Sequence, residues 1–106
     1  MIYELRQYRV RKGRLKEWLS LMNDHVLPFQ VSQGMVIPAM FTAPKEKDLF
    51  VWLRRFRSEA ERKRLYRRVY ESEHWKTVIE PKIDRVLDTS SIVVTDLVPT
   101  PTSVLQ

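Results

Sequence analysis

The chain has 106 residues, 43% of them hydrophobic and 10% aromatic, with nineteen Lys and Arg against thirteen Asp and Glu for a formal charge of +6. One domain with a core of its own is the expectation at this length, and the absence of cysteine excludes disulfides, thiolate nucleophiles, iron–sulfur clusters and cysteine-based zinc sites. Gly13 and Gly34 are the only glycines, too far apart for a dinucleotide fingerprint or a phosphate-cradling loop, and His25 and His74 are too far apart for a metal pair on one helix.

Ile2 to Val10 alternates as a strand, with Ile2, Glu4, Arg6, Tyr8 and Val10 on one face and Tyr3, Leu5, Gln7 and Arg9 on the other. Charges from Glu4 onward do not read as a secretory leader. Gly13 marks a turn, after which Leu15, Trp18, Leu19, Met22, Val26 and Phe29 recur at helical spacing, with Pro28 predicted to kink the helix and Gly34 to stop it. Met35 to Ala43 is a second strand that Pro38 demotes to an edge or a bulge. Pro44 to Asp48 reads as a charged turn into a third strand, Leu49 to Phe56, so that the pair forms an antiparallel hairpin.

Ser58-Glu59-Ala60-Glu61 matches a capping box and opens a second helix. At about 100° per residue its apolar arc gathers Leu65, Tyr66, Val69 and Tyr70, while Lys63, Arg64, Arg67 and Arg68 form the solvated face. Arg62 falls within the apolar arc, where it must snorkel or meet a carboxylate or a ligand anion. A third helical stretch runs from Ser72 and is interrupted near Pro81; Ser91 to Val98 is the fourth strand. Residues 1–98 are thus expected to form a single domain, and residues 99–106 an extended or disordered arm.

The charge is concentrated. Between Arg54 and Arg68 lie eight basic residues and two acids, and the rest of the chain is balanced. A basic segment of this kind raises nucleic acid as a partner, but Tyr66 and Tyr70 face the core and no exposed stacking platform is left, so nucleic acid is not the expected partner. No apolar stretch approaches the about 20 residues of a membrane span. A soluble, cytoplasmic protein is expected.

The order βαββαβ predicts an α+β, ferredoxin-like domain with a four-stranded antiparallel sheet and both helical segments on one face. The third and fourth strands carry Phe50, Trp52, Ile92 and Val94 among residues that alternate between faces, more apolar material than two helices cover. Burial of the open face against a second copy, a homodimer, is the simplest remedy.

Three segments carry a resemblance: Tyr3-Glu4-Leu5-Arg6-Gln7-Tyr8 in the first strand, Gly13-Arg14-Leu15 at the turn, and Val51-Trp52-Leu53-Arg54-Arg55-Phe56-Arg57-Ser58 running to Arg62, with Glu73-His74-Trp75 in support. On these the chain resembles the NIPSNAP family of the dimeric α+β barrel superfamily. The resemblance implies a fold more than a reaction. The wider superfamily includes cofactor-free monooxygenases, isomerases and lyases that bind small organic substrates in a cleft beside the sheet. It also includes haem enzymes, for which this sequence offers no convincing axial ligand, so no cofactor and no metal are expected.

Glu4, Arg6 and Tyr8 project from one strand face, are the positions the family motif singles out, and are the catalytic candidates. A carboxylate base beside a guanidinium that holds an enolate oxygen, with a phenol as proton donor, suits proton abstraction. The same three could equally be a cross-strand ion-pair set that fixes the sheet or dimer register. Arg62, Trp52, His25 and Tyr66 complete the candidate ligand site: Arg62 as an inward cation, Trp52 as a pocket wall, His25 as the group titrating near neutrality on the covering helix, and Tyr66 as a hydroxyl needing a partner. Two functions follow, a dimeric small-molecule-binding protein or cofactor-free enzyme for a small, anionic organic ligand, or a non-catalytic homodimeric interaction module.

Overall fold

The computed structural model describes residues 1–106. Its elements are β1 (Ile2–Val10), α1 (Leu15–Leu21), a π-helical turn Met22–Val26, α2 (Leu27–Ser32), β2 (Val36–Ala43), β3 (Glu46–Phe56), α3 (Glu59–Tyr70), a second π-helical turn Trp75–Ile79, α4 (Glu80–Val86) and β4 (Leu87–Leu97). The sheet is four-stranded and antiparallel in the order β2-β3-β1-β4, and three helical runs pack on one face: the α+β, ferredoxin-like fold expected from the element order.

The first helical run is α-helix, π turn, α-helix, the last one passes from a π turn into α4, and in both a proline follows the wide turn. Pro28 and Pro81 each sit second in the segment after the turn. A proline within an α-helix lacks the N–H and drives its ring into the carbonyl four residues back. Here the Leu27 amide reaches the Met22 carbonyl and the Glu80 amide that of Trp75, the five-residue bond of a π turn. The widened turn moves the obstructing carbonyl aside, so the run bends without ending.

The capping box forms: the Glu61 amide donates to Ser58 Oγ at 3.1 Å, and the Glu61 carboxylate accepts from the Arg57 amide at 3.2 Å. Pro38 lies on edge strand β2, where the pairing register slips between Val36 and Ala39. Gly34 has φ 108°, and a Cβ there would stand 3.1 Å from Leu65 Cδ2, so it both turns the chain and lets α3 approach.

Two strands are longer than the sequence pattern suggests. β3 starts at Glu46, which leaves Pro44 and Lys45 as the turn, because the charged residues at the hairpin end stay exposed while their backbones pair. β4 starts at Leu87, directly after α4, because Asp88, Ser90 and Ser91 bond their own turn: the Asp88 carboxylate accepts from Ser90, and Ser91 Oγ donates to the Asp88 carbonyl at 2.6 Å. A bulge between Gln7 and Arg9 absorbs the irregularity.

The helix-side face of the sheet carries Glu4, Arg6, Tyr8, Phe50, Trp52, Arg54 and Phe56, packed against Trp18, Met22, Val26, Leu65, Val69 and Ile79. Phe50 and Trp52 thus belong to the covered face. The opposite face presents Phe41, Val51, Leu53 and Val93, of which Phe41 and Val93 are more than half exposed. Residues 99–106 fold back over one end of that face, where Tyr3, with its hydroxyl donating to the Gln106 carbonyl at 2.9 Å, is buried.

Candidate functional site

β1 and β3 run antiparallel with Glu4 opposite Arg54 and Arg6 opposite Trp52, so pleating alone puts two arginines and a carboxylate side by side on the covered face. Glu4 is 1% exposed and Arg54 0%. Oε1 of Glu4 accepts from Arg54 Nη2 at 2.9 Å, Arg54 Nε at 3.0 Å and Arg6 Nη1 at 3.1 Å; Oε2 accepts from the Tyr66 hydroxyl and from Arg62 Nη1 at 3.4 Å. Five donors on two oxygens use every lone pair the carboxylate has. Burial by itself pushes the Glu4 carboxyl up, but the Arg54 charge, the Tyr66 hydrogen bond and Arg6 outweigh it and hold it below its ordinary value of 4.5. Tyr66 is pushed up to about 12 by burial and by its bond to that carboxylate.

Arg54 is also held from the other side. Its Nη1 donates to the Tyr70 hydroxyl at 2.7 Å and to Gln30 Oε1 at 3.0 Å, and its guanidinium lies within 5.2–5.8 Å of the rings of Trp52, Phe56, Tyr66 and Tyr70. A buried cation in four aromatic faces keeps its charge through the ring quadrupoles as well as through Glu4. Arg54 and Gln30 are members of this cluster that the sequence reading did not single out, and the Tyr70 hydroxyl, expected to need a partner such as Arg62 or Glu4, finds Arg54 instead. Strand alternation carried the signal for Arg54, since Phe50, Trp52, Arg54 and Phe56 share one face.

Arg62 does point inward, and meets carboxylates. It pairs with Asp96 at 2.8 Å and with Glu59 at 2.8 Å as well as with Glu4, and its bond to Asp96 holds that carboxyl below its usual range. It lies with Tyr66 and Glu4 beside an open groove on the α3 side.

Past Arg6 the same sheet face opens into a cavity of about 360 Å³ between β1, β3 and the helices. Arg6, Tyr8, Gln30 and Tyr70 give it a polar wall, Trp18, Trp52, Trp75 and Ile83 an apolar one, and Glu80, Asp84 and Thr89 are exposed lining residues. Arg6 Nε donates to the Tyr8 hydroxyl at 2.9 Å, and burial pushes the Tyr8 phenol up. The indole N–H groups of Trp18 and Trp52, both 1% exposed, have no partner.

The seven candidates therefore divide. Arg6, Tyr8 and Trp52 meet at the cavity; Glu4, Arg62 and Tyr66 form the ion-pair cluster behind it, and Arg6 borders both. His25 belongs to neither: it lies in a shallow depression on the outer helical surface with Asp24, Lys82 and Arg85, because the π turn rotates it off the covering face. No group of three or more His, Asp or Glu side chains is gathered as a metal site. No helix is long and apolar enough to cross a membrane.

Fold and site together define a ferredoxin-like α+β domain with a ligand-sized cavity between its sheet and its helices. The chain belongs to the NIPSNAP family, whose sequence profile matches residues 3–103. Among solved structures it is similar to a NIPSNAP family protein of unknown function from Agrobacterium tumefaciens, 22% identical over 100% of both chains with a TM-score of 0.90. It is also similar to an uncharacterized NIPSNAP domain protein from Burkholderia xenovorans, 20% identical over 97% of this chain and 98% of that one, TM-score 0.87. An antibiotic biosynthesis monooxygenase shares the fold at 18% identity over 93% of this chain and 100% of the other, TM-score 0.64. No functionally curated protein matches the chain.

Proposed function

We propose that this protein binds a small organic molecule in the cavity beside Arg6 and Tyr8 and acts there without a cofactor, as a proton-transfer enzyme of isomerase or lyase type or as a cofactor-independent monooxygenase. The observation that carries the reading is the cavity itself: about 360 Å³, within the size range of ligand sites, mostly apolar, with a few convergent polar groups. Arg6 and Tyr8 are placed to stabilise a developing enolate or phenolate oxygen, the guanidinium by charge and the protonated phenol by hydrogen bond. Glu4 acts as a positioning residue: a carboxylate that already accepts five hydrogen bonds holds Arg6 in place and has no lone pair left for a substrate proton. The carboxylates free to take a proton are Glu80 and Asp84.

Thermal-shift screening with small aromatic, neutral and charged organic compounds tests the reading. Stabilisation by at least one class, abolished when Ile83→Trp fills the cavity, is the expected result. No stabilisation by any class at millimolar concentration would overturn it.

The open sheet face supports homodimerisation as part of the same proposal. Phe41, Val51 and Val93 form an apolar strip that the helices do not cover, and pairing two such strips would bury it. Sedimentation equilibrium should give twice the chain mass, and Phe41→Arg should shift it to a single chain. A second reading, a homodimeric interaction module without chemistry, is favoured by the fully bonded Glu4; a dimer whose cavity takes no ligand would establish it. A cytoplasmic location is proposed with either.

A further inference from the structure

The hydrogen-bond network behind the cavity fixes which kind of ligand the cavity accepts. Each side-chain oxygen on its inner wall already accepts from an arginine, whose charge makes it a poor acceptor for a second donor or a cation. Tyr8 Oη accepts from Arg6 at 2.9 Å, Tyr70 Oη accepts from Arg54 at 2.7 Å, and Gln30 Oε1 accepts from Arg54 at 3.0 Å, which also fixes the orientation of the Gln30 amide. What remains is donors. Arg6 Nη2, Gln30 Nε2 and the hydroxyl hydrogens of Tyr8 and Tyr70 have no partner within the chain, and the sealed indole N–H groups of Trp18 and Trp52 add no acceptor. A ligand ammonium meeting this wall would leave donor facing donor, and a neutral aromatic amine offers it only one weak acceptor, whereas an anionic oxygen accepts from several of these groups at once.

The local charge points the same way. Arg6 and Arg54 share Glu4 as their only buried counterion, whereas Arg62 is matched by Glu59 and Asp96 nearer the surface. The inner wall therefore presents Arg6 as its one charged group, with a counterion it shares with the buried Arg54. Glu80 and Asp84, both exposed, supply acceptors and negative charge elsewhere in the lining.

We propose that the cavity selects a small organic anion, a carboxylate or enolate, with its anionic oxygens against Arg6, Tyr8, Tyr70 and Gln30 and any hydroxyl directed to Glu80 and Asp84. The inference rests on the cavity being a ligand site, as proposed above, and adds the ligand's charge, its hydrogen-bonding sense and its orientation.

Four bicyclic probes of one shape test it by calorimetry on the full chain: 2-naphthoate, 6-hydroxy-2-naphthoate, 2-naphthylamine and the 2-naphthylmethylammonium cation. The expected order is 6-hydroxy-2-naphthoate at or above 2-naphthoate, both roughly tenfold or more tighter than the amine, with the cation weakest. Tyr70→Phe, which removes one donor and keeps the ring, should weaken 2-naphthoate roughly fivefold to tenfold and leave the amine unchanged. Binding of the amine or cation as tight as that of the naphthoates would overturn the proposal and leave the cavity standing as a ligand site. No binding by any probe would overturn both. The probe order is read on the unaltered protein, so it decides the matter even where Tyr70→Phe does not fold.

Discussion

One face of β1 serves two opposite ends. Around Glu4 the groups are packed: a buried carboxylate with five donors, a fully buried arginine in an aromatic cage, and a half-buried tyrosine whose phenol is pushed up to about 12. Around Tyr8, four residues along the same strand, the side chains border an open cavity and keep hydrogens without partners. Arg6 belongs to both regions, with Nη1 bound to Glu4 and Nε to Tyr8. The difference shows how a small domain can hold a buried charge: the packed end fixes the guanidinium, and the other end leaves part of it facing the cavity.

The largest way to break the comparison is at the packed end. Glu4→Gln leaves Arg54 buried without its counterion and should cost about 3–5 kcal/mol in urea unfolding. The same residue sets an acid dependence. Its folded pKa lies below 4.5, so it contributes stability that is fully present above that value and is lost as pH falls through the folded pKa. Unfolding midpoints of the wild type should drop on acidification across roughly pH 5 to 2, and the drop should be smaller in Glu4→Gln. Equal drops would mean that Glu4 is not held by Arg54 and Tyr66.

Tyr66→Phe removes one donor to Glu4 and keeps the ring against Arg54, for an expected loss of about 1.5–3 kcal/mol. Ser58→Ala removes the N-cap of α3 and should cost about 1 kcal/mol, remote from the site and without effect on ligand binding. Asp96→Asn is the smallest. The pair with Arg62 lies at the surface and Glu59 remains, so a loss under about 1 kcal/mol is expected. A loss at Asp96 as large as that at Glu4 would erase the distinction between buried and exposed ion pairs.

Element order and the inward face of β1 were legible because period-two alternation and helical periodicity are local signals. Glu4, Arg6 and Tyr8 share a face for that reason alone. Arg54 was hidden by its neighbours: within a run of eight basic residues it reads as one more surface charge, although alternation with Trp52 and Phe56 turns it inward. Helical spacing turned Tyr70 inward but did not name its partner, and Gln30 meets Arg54 only when α2 is brought over β3, a tertiary fact that no spacing contains. His25 lies away from the cavity for a subtler reason. Straight 3.6-residue periodicity puts it at the edge of the apolar arc, and the π turn Met22–Val26 breaks that periodicity before the arc is complete. Arg62 was rightly read as inward, but its partners Glu59 and Asp96 come from a turn of helix and a distant strand, and they satisfy it without a ligand.

The central proposal is that a ligand binds at the open end of the β1 face and not in the mixed-charge groove beside α3. A crystal structure with 6-hydroxy-2-naphthoate tests this most directly. The account predicts the carboxylate within hydrogen-bond distance of Arg6 and the Tyr8 hydroxyl, and the rings against Trp18 and Trp52. Ligand bound instead in the groove by Lys63 and Arg67, with the cavity beside Tyr8 empty, would contradict it.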